Sequence, residues 1–118
     1  MHSTLQDNQT PLLSIIAPIR NEREYILELI SSFSKLNDQR VELLISDNHS
    51  DDGSYEAIKN TRVENIKIVK PKCRLSPFDN HIFALNQSAG QYIFPVGGDD
   101  YISHEVVNQV LKELNPNK

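Results

Sequence analysis

Two adjacent carboxylates follow a pair of glycines near the end of the chain, in the segment Gly97-Gly98-Asp99-Asp100. The glycines allow the backbone to turn sharply or to approach a ligand closely. After such a turn both carboxylates can face one site, whereas in a continuing strand they would point to opposite faces. Carboxylate oxygens suit Mg²⁺ or Mn²⁺, and such metals commonly join protein acids to phosphate groups. The segment therefore predicts either a metal site or a solvated acidic turn.

Hydrophobic periodicity predicts four strands that alternate with four helices. The predicted strands are Leu12 to Ala17, Val41 to Ser46, Ile66 to Val69 and Tyr92 to Val96, the last as a buried strand. The predicted helices are Glu22 to Ser34, a short one carrying Tyr55, Ala57 and Ile58, Pro77 to Ser88, and one that begins at Ser103. This alternation predicts an α/β fold with a mostly parallel sheet and helices on both faces. We expect a single domain, with residues 12–114 folded and both ends (residues 1–11 and 115–118) frayed.

The same patterns predict how the helices begin, end and face the core. Asn21 is the expected N-cap of the first helix, Ser103 is that of the last, and Gly90 should end the third. We expect three sets of apolar side chains to face the core: Tyr25, Ile26, Leu29, Ile30 and Phe33; Phe78, Ile82, Phe83 and Leu85; and Val106, Val107, Val110, Leu111 and Leu114.

A polar cluster follows the carboxyl end of each predicted strand. The clusters are Arg20 to Glu22, Asp47 to Asp52, Lys70 to Arg74 and Gly97 to Asp100. Because these ends share one edge of a parallel sheet, the clusters should converge on the crevice where open α/β sheets bind ligands. Loops are polar in any protein, and Asp and Asn favour turns, so a structural origin stays open. The convergence favours a nucleotide or phosphate site, held by metal on the two acids and by Arg20, Lys72 or Arg74.

Composition and missing motifs narrow the possible partners. The 118-residue chain has a formal net charge of -4, so we expect no nucleic acid as a main partner. Its single cysteine, Cys73, excludes an internal disulfide and fits a reducing cytoplasm, which is the expected location. Neither G-x-G-x-x-G nor G-x-x-x-x-G-K-[ST] occurs, so the common glycine-rich phosphate loops are absent. We also expect no transmembrane segment and no signal peptide.

Four segments, in order, resemble motifs of the family 2 glycosyltransferases. Ser14 to Glu22 resembles S-I-I-x-P-x-x-N-E, and Glu42 to Ser54 resembles E-I-I-V-V-D-D-G-S-x-D-G-T. Leu85 to Ile93 resembles N-x-A-x-G-E-Y-I, and Gly97 to Tyr101 falls on the D-S-D-D metal motif. The four segments follow the order and spacing of the family motifs over most of the chain. Together they indicate this family more specifically than any one of them does alone.

The resemblance implies a Rossmann-like GT-A fold and a glycosyltransferase of cell-surface polysaccharide biosynthesis. It implies a nucleotide-sugar donor, often a UDP-sugar, a divalent Mg²⁺ or Mn²⁺, and inversion at the anomeric carbon of the sugar. The implied site residues are Pro18, Ile19, Arg20 and Asn21 for the base pocket, Asp47 for base or ribose, and Asp99 and Asp100 for ribose and the diphosphate-bound metal. Arg74 is a further candidate contact to the donor phosphates.

Two positions depart from the family motifs. Gly97 stands where the metal motif has its first acid, and Asn48 stands at the second acid of D-D-G-S. Members of the family also continue into a second half that supplies the acceptor site and the general base. We therefore expect a truncated chain that is the donor-binding half and holds no catalytic base of its own. The acceptor stays open among glycan, lipid-linked and other molecules, and both peripheral membrane association of the full protein and a homodimer are compatible with the sequence.

Other classes of protein fit some of these features. A non-catalytic nucleotide-sugar-binding module is the main alternative, because no general base can be named. A nucleotidylyltransferase would carry a glycine-rich loop after the first strand, but Ala17 to Arg23 contains no glycine. A phosphoacceptor receiver domain would place an acid pair after that strand, where Pro18 to Asn21 lie.

Overall fold

Residues 10–114 are described by the computed structural model, and they form four strands and four helices in alternating order. The elements are β1 (Leu13–Ile19), α1 (Arg23–Ser34), β2 (Val41–Asp47), α2 (Ser54–Lys59), β3 (Ile66–Val69), α3 (Pro77–Gln87), β4 (Tyr92–Pro95) and α4 (His104–Leu114). The strands form one parallel sheet in the order β3-β2-β1-β4, which confirms the predicted fold class. Of the ends predicted to fray (residues 1–11 and 115–118), residues 1–9 and 115–118 lie outside the described residues. The prediction is wrong for Pro11, which is buried and whose carbonyl accepts from the Gln91 N–H at 3.2 Å.

The two central strands are buried on both faces and separate two apolar clusters. Ile15, Ala17, Leu43 and Ile45 point to the face that α1, α2 and α4 cover. The alternate residues Ile16 and Leu44 pack against Ala84 of α3 on the opposite face. Because strand side chains alternate between faces, a continuous apolar run such as that of β1 requires cover on both sides. Within residues 10–114 no helix is long and apolar enough to cross a membrane.

Helix α3 packs on the sheet mainly through small and polar side chains, so the apolar face predicted for it is only partly right. Leu85 packs against the cluster of Ile16 and Leu44 as predicted. The buried residues of the helix are Asn80 and Ala84, and Asn80 Nδ2 donates to the Ser46 carbonyl at 3.2 Å while Ser46 Oγ donates to Asn80 Oδ1 at 2.7 Å. The predicted core residues Phe78 and Ile82 are instead 71% and 39% exposed. A buried amide must be hydrogen-bonded, and the Asn80–Ser46 pair fixes the rotation of α3.

Gly90 does not cap α3, contrary to the prediction, because the helix ends earlier at Ser88, which has extended backbone. A glycine is needed at position 90 because the backbone there lies close to β1. A Cβ at this position would lie 2.5 Å from Ser14 Oγ and 2.6 Å from Ser14 N. The Gly90 N–H donates to Ser14 Oγ at 2.8 Å, and Ser14 Oγ donates in turn to Glu42. The Ala89 N–H also donates to Glu42, at 3.0 Å, so this buried pair anchors the connection from α3 to β4.

Strand β4 lies at the edge of the sheet, so the expectation of a buried strand there is wrong. It pairs with β1 alone, and Tyr92 and Ile93 are exposed. Pro95 ends the strand, at an edge position where its missing N–H costs no ladder bond.

The faces predicted for α1 and α4 are right except at one residue in each helix. Ile26, Leu29, Ile30 and Phe33 of α1 are buried, and so are Val107 and Leu111 of α4. Tyr25 and Val106, each one residue before the buried stripe, are 43% and 52% exposed. Ser103 begins α4 as predicted, with its Oγ accepting from the Val106 N–H at 3.3 Å.

Candidate functional site

All four loops at the carboxyl edge of the sheet contribute to one cleft. The cleft has a volume of about 440 Å³ and lies on the side of the sheet that α3 covers. It is lined by Pro18, Ile19, Arg20, Asn48, Arg74, Leu75, Pro77, Asn80, His81, Val96 and Gly97. The polar clusters therefore converge as predicted. Four of the predicted site residues line the cleft: Pro18, Ile19, Arg20 and Arg74.

Asn21 joins the loop after β1 to the loop after β2. Its backbone has a φ of 59°, in the left-handed region that Asn tolerates better than most residues. The Asn21 N–H donates to Ser50 Oγ at 2.8 Å, and Asn21 Oδ1 accepts from the Asp51 N–H at 2.8 Å. The prediction that Asn21 is the N-cap of α1 is therefore wrong, because Glu22 occupies that position.

The first amides of α1 are capped by the neighbouring loop instead of by a side chain of their own segment. The Glu22 N–H donates to Ser54 Oγ at 3.0 Å, and the Arg23 N–H donates to Asp52 Oδ2 at 3.1 Å. Burial alone would raise the pKa of Asp52, but the bonds it accepts from Ser54 and Arg23 outweigh burial and lower that pKa. The helix start and the loop after β2 therefore form one connected unit at the edge of the cleft.

Arg20 brings a guanidinium group to the wall of the cleft. One of its terminal nitrogens lies 3.3 Å from Asp51 Oδ2, in an exposed ion pair. Its Nε is buried and has no hydrogen-bond partner among the described residues. An unpaired buried donor of this kind is energetically costly.

Asp47, the predicted contact to base or ribose, is fully buried and does not line the cleft. Its Oδ1 accepts from Ser50 Oγ at 2.6 Å, and its Oδ2 accepts from the Ser50 N–H at 3.1 Å. Both oxygens therefore hold the turn that follows β2 in place, and Ser50 of this turn also accepts from the Asn21 N–H.

The loop after β3 is tied to the two residues that follow β2. Asn48 exchanges two hydrogen bonds with the backbone of Leu75, and His49 Nε2 lies 2.8 Å from the Pro71 carbonyl oxygen. The loop carries Arg74 to the cleft. Sequence patterns identify Asn48 only as a departure from a motif, since its partner lies far along the chain.

Other cleft residues were missed from the sequence. Leu75, Pro77, Asn80 and His81 come from α3 or the residues just before it, and Val96 from the end of β4. The orientation of α3 on the sheet brings its residues to the cleft, and pairing with β1 places Val96 there. No local pattern marks either position.

Asp99 and Asp100 lie side by side in the turn after β4, and both are exposed. Asp100 Oδ2 accepts from the Gly97 N–H at 2.6 Å, and the Asp100 N–H donates to the Gly97 carbonyl at 3.1 Å. A Cβ at Gly97 would lie 3.1 Å from Asp99 Oδ1 and 3.4 Å from Asp100 Oδ2, so both carboxylates converge beside this glycine. Gly97 itself lines the cleft.

The turn after β4 also packs against the loop after β1. A Cβ at Gly98 would lie 2.7 Å from Glu22 Cγ and 2.8 Å from Ile19 Cγ2, so only glycine fits there. This contact brings Glu22 close to Asp99. Burial, followed by the charges of Asp99 and Asp52, raises the pKa of Glu22.

The donor atoms of this turn fit a divalent cation that also binds phosphate. Mg²⁺ in proteins is typically held by one or two carboxylates together with substrate phosphates and water. Asp99 and Asp100 supply two carboxylates that face solvent beside the cleft. Residues 10–114 contain no group of three or more His, Cys, Asp or Glu side chains able to hold a metal without such a ligand.

Comparison with known proteins identifies relatives of the chain. Residues 14–118 match the profile described as glycosyl transferase family 2. An uncharacterized glycosyltransferase of Haemophilus influenzae is 30% identical over 107 residues, which are 89% of this chain and 42% of that protein. The abequosyltransferase RfbV of Salmonella typhimurium is 31% identical over 102 residues, which are 80% of this chain and 30% of that protein. The chain thus spans less than half the length of these curated relatives.

Solved structures share the fold. A TarS fragment of S. aureus in complex with UDP has a TM-score of 0.80 and 26% identity, covering 88% of this chain and 32% of that one. The corresponding complex with UDP-GlcNAc has a TM-score of 0.76 and 25% identity, covering 88% of this chain and 31% of that one. The similarity extends over nearly all of the region that the structure describes.

Proposed function

This chain belongs to glycosyl transferase family 2, and we propose that it forms the donor-binding part of a glycosyltransferase that uses a UDP-sugar. In this proposal the sugar passes to an acceptor with inversion at its anomeric carbon, assisted by a divalent metal. The acceptor, whether a glycan, a lipid-linked sugar or another molecule, binds largely outside this chain. The complexes of TarS with UDP and UDP-GlcNAc support this choice of donor.

One observation supports the proposal above all others: four separate loops meet in a single cleft at the carboxyl edge of the sheet. Ligands of open α/β sheets bind at this edge. The volume of about 440 Å³ also lies within the range of small-molecule sites. The cleft has two guanidinium groups, an apolar wall and an acidic turn beside it. These features suit a ligand that has an anionic group at one end and a planar ring at the other.

The residues of the cleft divide between the two ends of such a donor. Arg20 and Arg74 would hold the diphosphate, since guanidinium groups bind phosphate oxygens with paired, charge-assisted hydrogen bonds. Pro18 and Ile19 would provide an apolar surface for the base. Asp47 is fully buried, so it would reach base or ribose only if the turn after β2 moved to expose it. Asn21 would shape the pocket through its contacts to the loop after β2.

Asp99 and Asp100 would hold Mg²⁺ or Mn²⁺, and Asp99 would also contact the ribose. The metal, when bound, neutralises negative charge on the leaving nucleoside diphosphate. The chain's own contribution is to keep the two carboxylates together beside Gly97.

Calorimetric titration of UDP into the 118-residue chain, with and without Mn²⁺, tests this function. We expect binding that depends on Mn²⁺ and that weakens at least about tenfold, or about 1.4 kcal/mol, in Asp99→Asn. Glu28→Gln, an equal change of charge at an exposed position in α1, is the matched control and should bind as the native chain does. Absence of UDP binding in both conditions, or equal binding by Asp99→Asn, would contradict the proposal.

A non-catalytic nucleotide-sugar-binding module is the second candidate, and the glycine at position 97 favours it. This glycine removes an acid from the metal motif, and residues 10–114 hold no larger metal-binding group. Release of UDP from UDP-GlcNAc distinguishes the two functions. Release that depends on both Mn²⁺ and Asp99 would exclude a purely binding role.

We propose the cytoplasm as the location of this activity. Cys73 is exposed and carries a free thiol, as is usual for cysteines in a reducing compartment.

A further inference from the structure

Asn48 is buried between two loops of the candidate site and pairs with the backbone of one residue. Asn48 is 3% exposed. Nδ2 donates to the Leu75 carbonyl at 2.7 Å, and Oδ1 accepts from the Leu75 N–H at 2.8 Å. The side-chain amide therefore pairs with both polar groups of one backbone residue, as a neighbouring strand would.

An ionised carboxylate could not make both of these bonds. A carboxylate accepts hydrogen bonds but cannot donate one, so an acid here would keep the bond from the Leu75 N–H and lose the other. It would also place a charged oxygen against the Leu75 carbonyl, in a buried position where an unpaired polar group is costly. This requirement gives a physical reason for an asparagine at a position where the resembling motif has an acid.

The paired residue directly follows a cation of the cleft. Arg74 and Leu75 both line the cleft, and Arg74 is exposed and has a long, flexible side chain. The other end of the same loop is held by His49, whose Nε2 lies 2.8 Å from the Pro71 carbonyl oxygen. Residues 71–75 are thus fastened at both ends to the two residues that follow β2.

We propose that Asn48 is a positioning residue that fixes the backbone of Arg74 and so holds its guanidinium group ready for the diphosphate of the donor. This inference rests on the proposed function, since it assigns the phosphate contact to Arg74. Asn48 acts through Leu75 and Arg74. Ordering the loop in advance reduces the entropy that ligand binding would otherwise lose.

The neighbouring Cys73 allows the loop to be observed without any ligand. It is the only cysteine in the sequence and it is exposed, so a nitroxide label can be attached there alone. We expect the spin-label spectrum to show greater mobility in Asn48→Ala, which loses both bonds, and in Asn48→Asp, which loses one and sets a charged oxygen against the Leu75 carbonyl. Asn86→Asp and Asn86→Ala, on an exposed position of α3, are matched controls and should leave the mobility unchanged.

Binding of UDP in the presence of Mn²⁺ then tests whether the effect passes through Arg74. We expect Asn48→Ala to weaken binding roughly tenfold, because the loop that carries Arg74 would then lose more entropy when the ligand binds. In the Arg74→Ala background the same substitution should cause no further loss. Asn48→Asp gives the same comparison if Asn48→Ala does not fold.

The possible results separate this inference from the proposed function. Unchanged label mobility would overturn the positioning role. Equal losses of UDP affinity with and without Arg74 would also overturn it, because the effect of Asn48 would then not pass through Arg74. If the native chain binds no UDP, the proposed function is wrong, and so is the assignment of the donor diphosphate to Arg74. The mobility of the label at Cys73 still decides whether Asn48 holds the loop.

Discussion

The carboxylate of Asp100 has two roles in the proposed site. Its Oδ2 accepts a hydrogen bond from the Gly97 N–H at 2.6 Å, which closes the turn after β4. The same carboxylate is a proposed metal ligand. The two roles can be separated because an asparagine retains a carbonyl oxygen for the Gly97 N–H but carries no charge.

We expect Asp100→Asn and Asp100→Ala to weaken Mn²⁺-dependent UDP binding to a similar extent, by at least about tenfold. Only the alanine variant should also lose stability, by about 1 kcal/mol, because it alone removes the acceptor for the Gly97 N–H. Calorimetry and urea denaturation measure the two effects. If Asp100→Asn binds UDP and Mn²⁺ like the native chain, Asp100 serves the turn and not a metal.

Glu22 shows how the acids of the site affect stability. Burial, followed by the charges of Asp99 and Asp52, raises the pKa of Glu22 above the ordinary value of a glutamate. The folded protein therefore holds this proton more tightly than the unfolded chain does. Ionisation of Glu22 lowers stability as the pH rises from the unfolded pKa to the folded pKa, and the full cost persists at neutral pH.

The substitution Glu22→Gln should therefore stabilise the protein at neutral pH, by less than about 1 kcal/mol because solvent screens these charges. The gain should disappear as the pH falls below the range in which glutamates titrate. Urea denaturation at a series of pH values measures it, with Glu28→Gln as the control for loss of one exposed charge. An equal gain in both variants would show that net charge, and not the position of Glu22, is responsible.

At the scale of elements, the site depends on the contact between the turn after β4 and the loop after β1. Gly98 is buried against Glu22 and Ile19, and a Cβ there would lie within 2.8 Å of both. Gly97 faces the two carboxylates instead, at 3.1 and 3.4 Å. The two glycines are adjacent in sequence, but Gly98 allows close packing against the loop after β1, whereas Gly97 leaves space for the carboxylates of Asp99 and Asp100.

We expect Gly98→Ala to lower the free energy of unfolding by about 1–3 kcal/mol, as overpacking of a closed contact does. Gly97→Ala should change stability little, since the facing carboxylates can move, but it should weaken Mn²⁺-dependent UDP binding. Thermal denaturation and calorimetry on both variants test this division. Equal stability of the two variants would contradict the contact described for Gly98.

The positions of the elements could be predicted from the sequence because they depend on local periodicity. The strand from Ile66 to Val69 has the predicted bounds, and the ends of β1, β2 and α3 differ from prediction by two residues at most. The roles of Asn21, Gly90 and Asn48 could not be predicted. Each is set by a partner in a distant segment (Asp51, Ser14 and Leu75), and no local pattern specifies those partners.

Burial was predicted less well than element position, because it depends on which face meets the sheet. Phe78 and Ile82 look like core residues in sequence, yet the Asn80–Ser46 hydrogen bonds turn α3 so that they face solvent. For the site, the sequence could place polar clusters at the strand ends. It could not show that Asp47 is fully buried and bonded to Ser50.

At the scale of the whole molecule, the carboxyl ends of the strands form the candidate site, while the outer strands β3 and β4 of the described sheet each pair on one side only. The carboxyl edge gathers four loops into the cleft, whereas β4 pairs on one side only and exposes Tyr92 and Ile93. Open strand edges favour pairing with further chain. A homodimer through this edge stays a prediction, as does the membrane association of a longer protein.

The central claim is that the carboxyl edge of the sheet binds the donor, and amide chemical shifts of the ¹⁵N-labelled chain test it most directly. On titration with UDP and Mg²⁺, we expect shift changes at residues 19–21, 48, 74–75 and 96–100, which surround the cleft. Residues 37–39 and 62–65, which line a separate depression at the other end of the sheet, should not change. Shift changes centred on those residues, or no saturable change anywhere, would contradict the account.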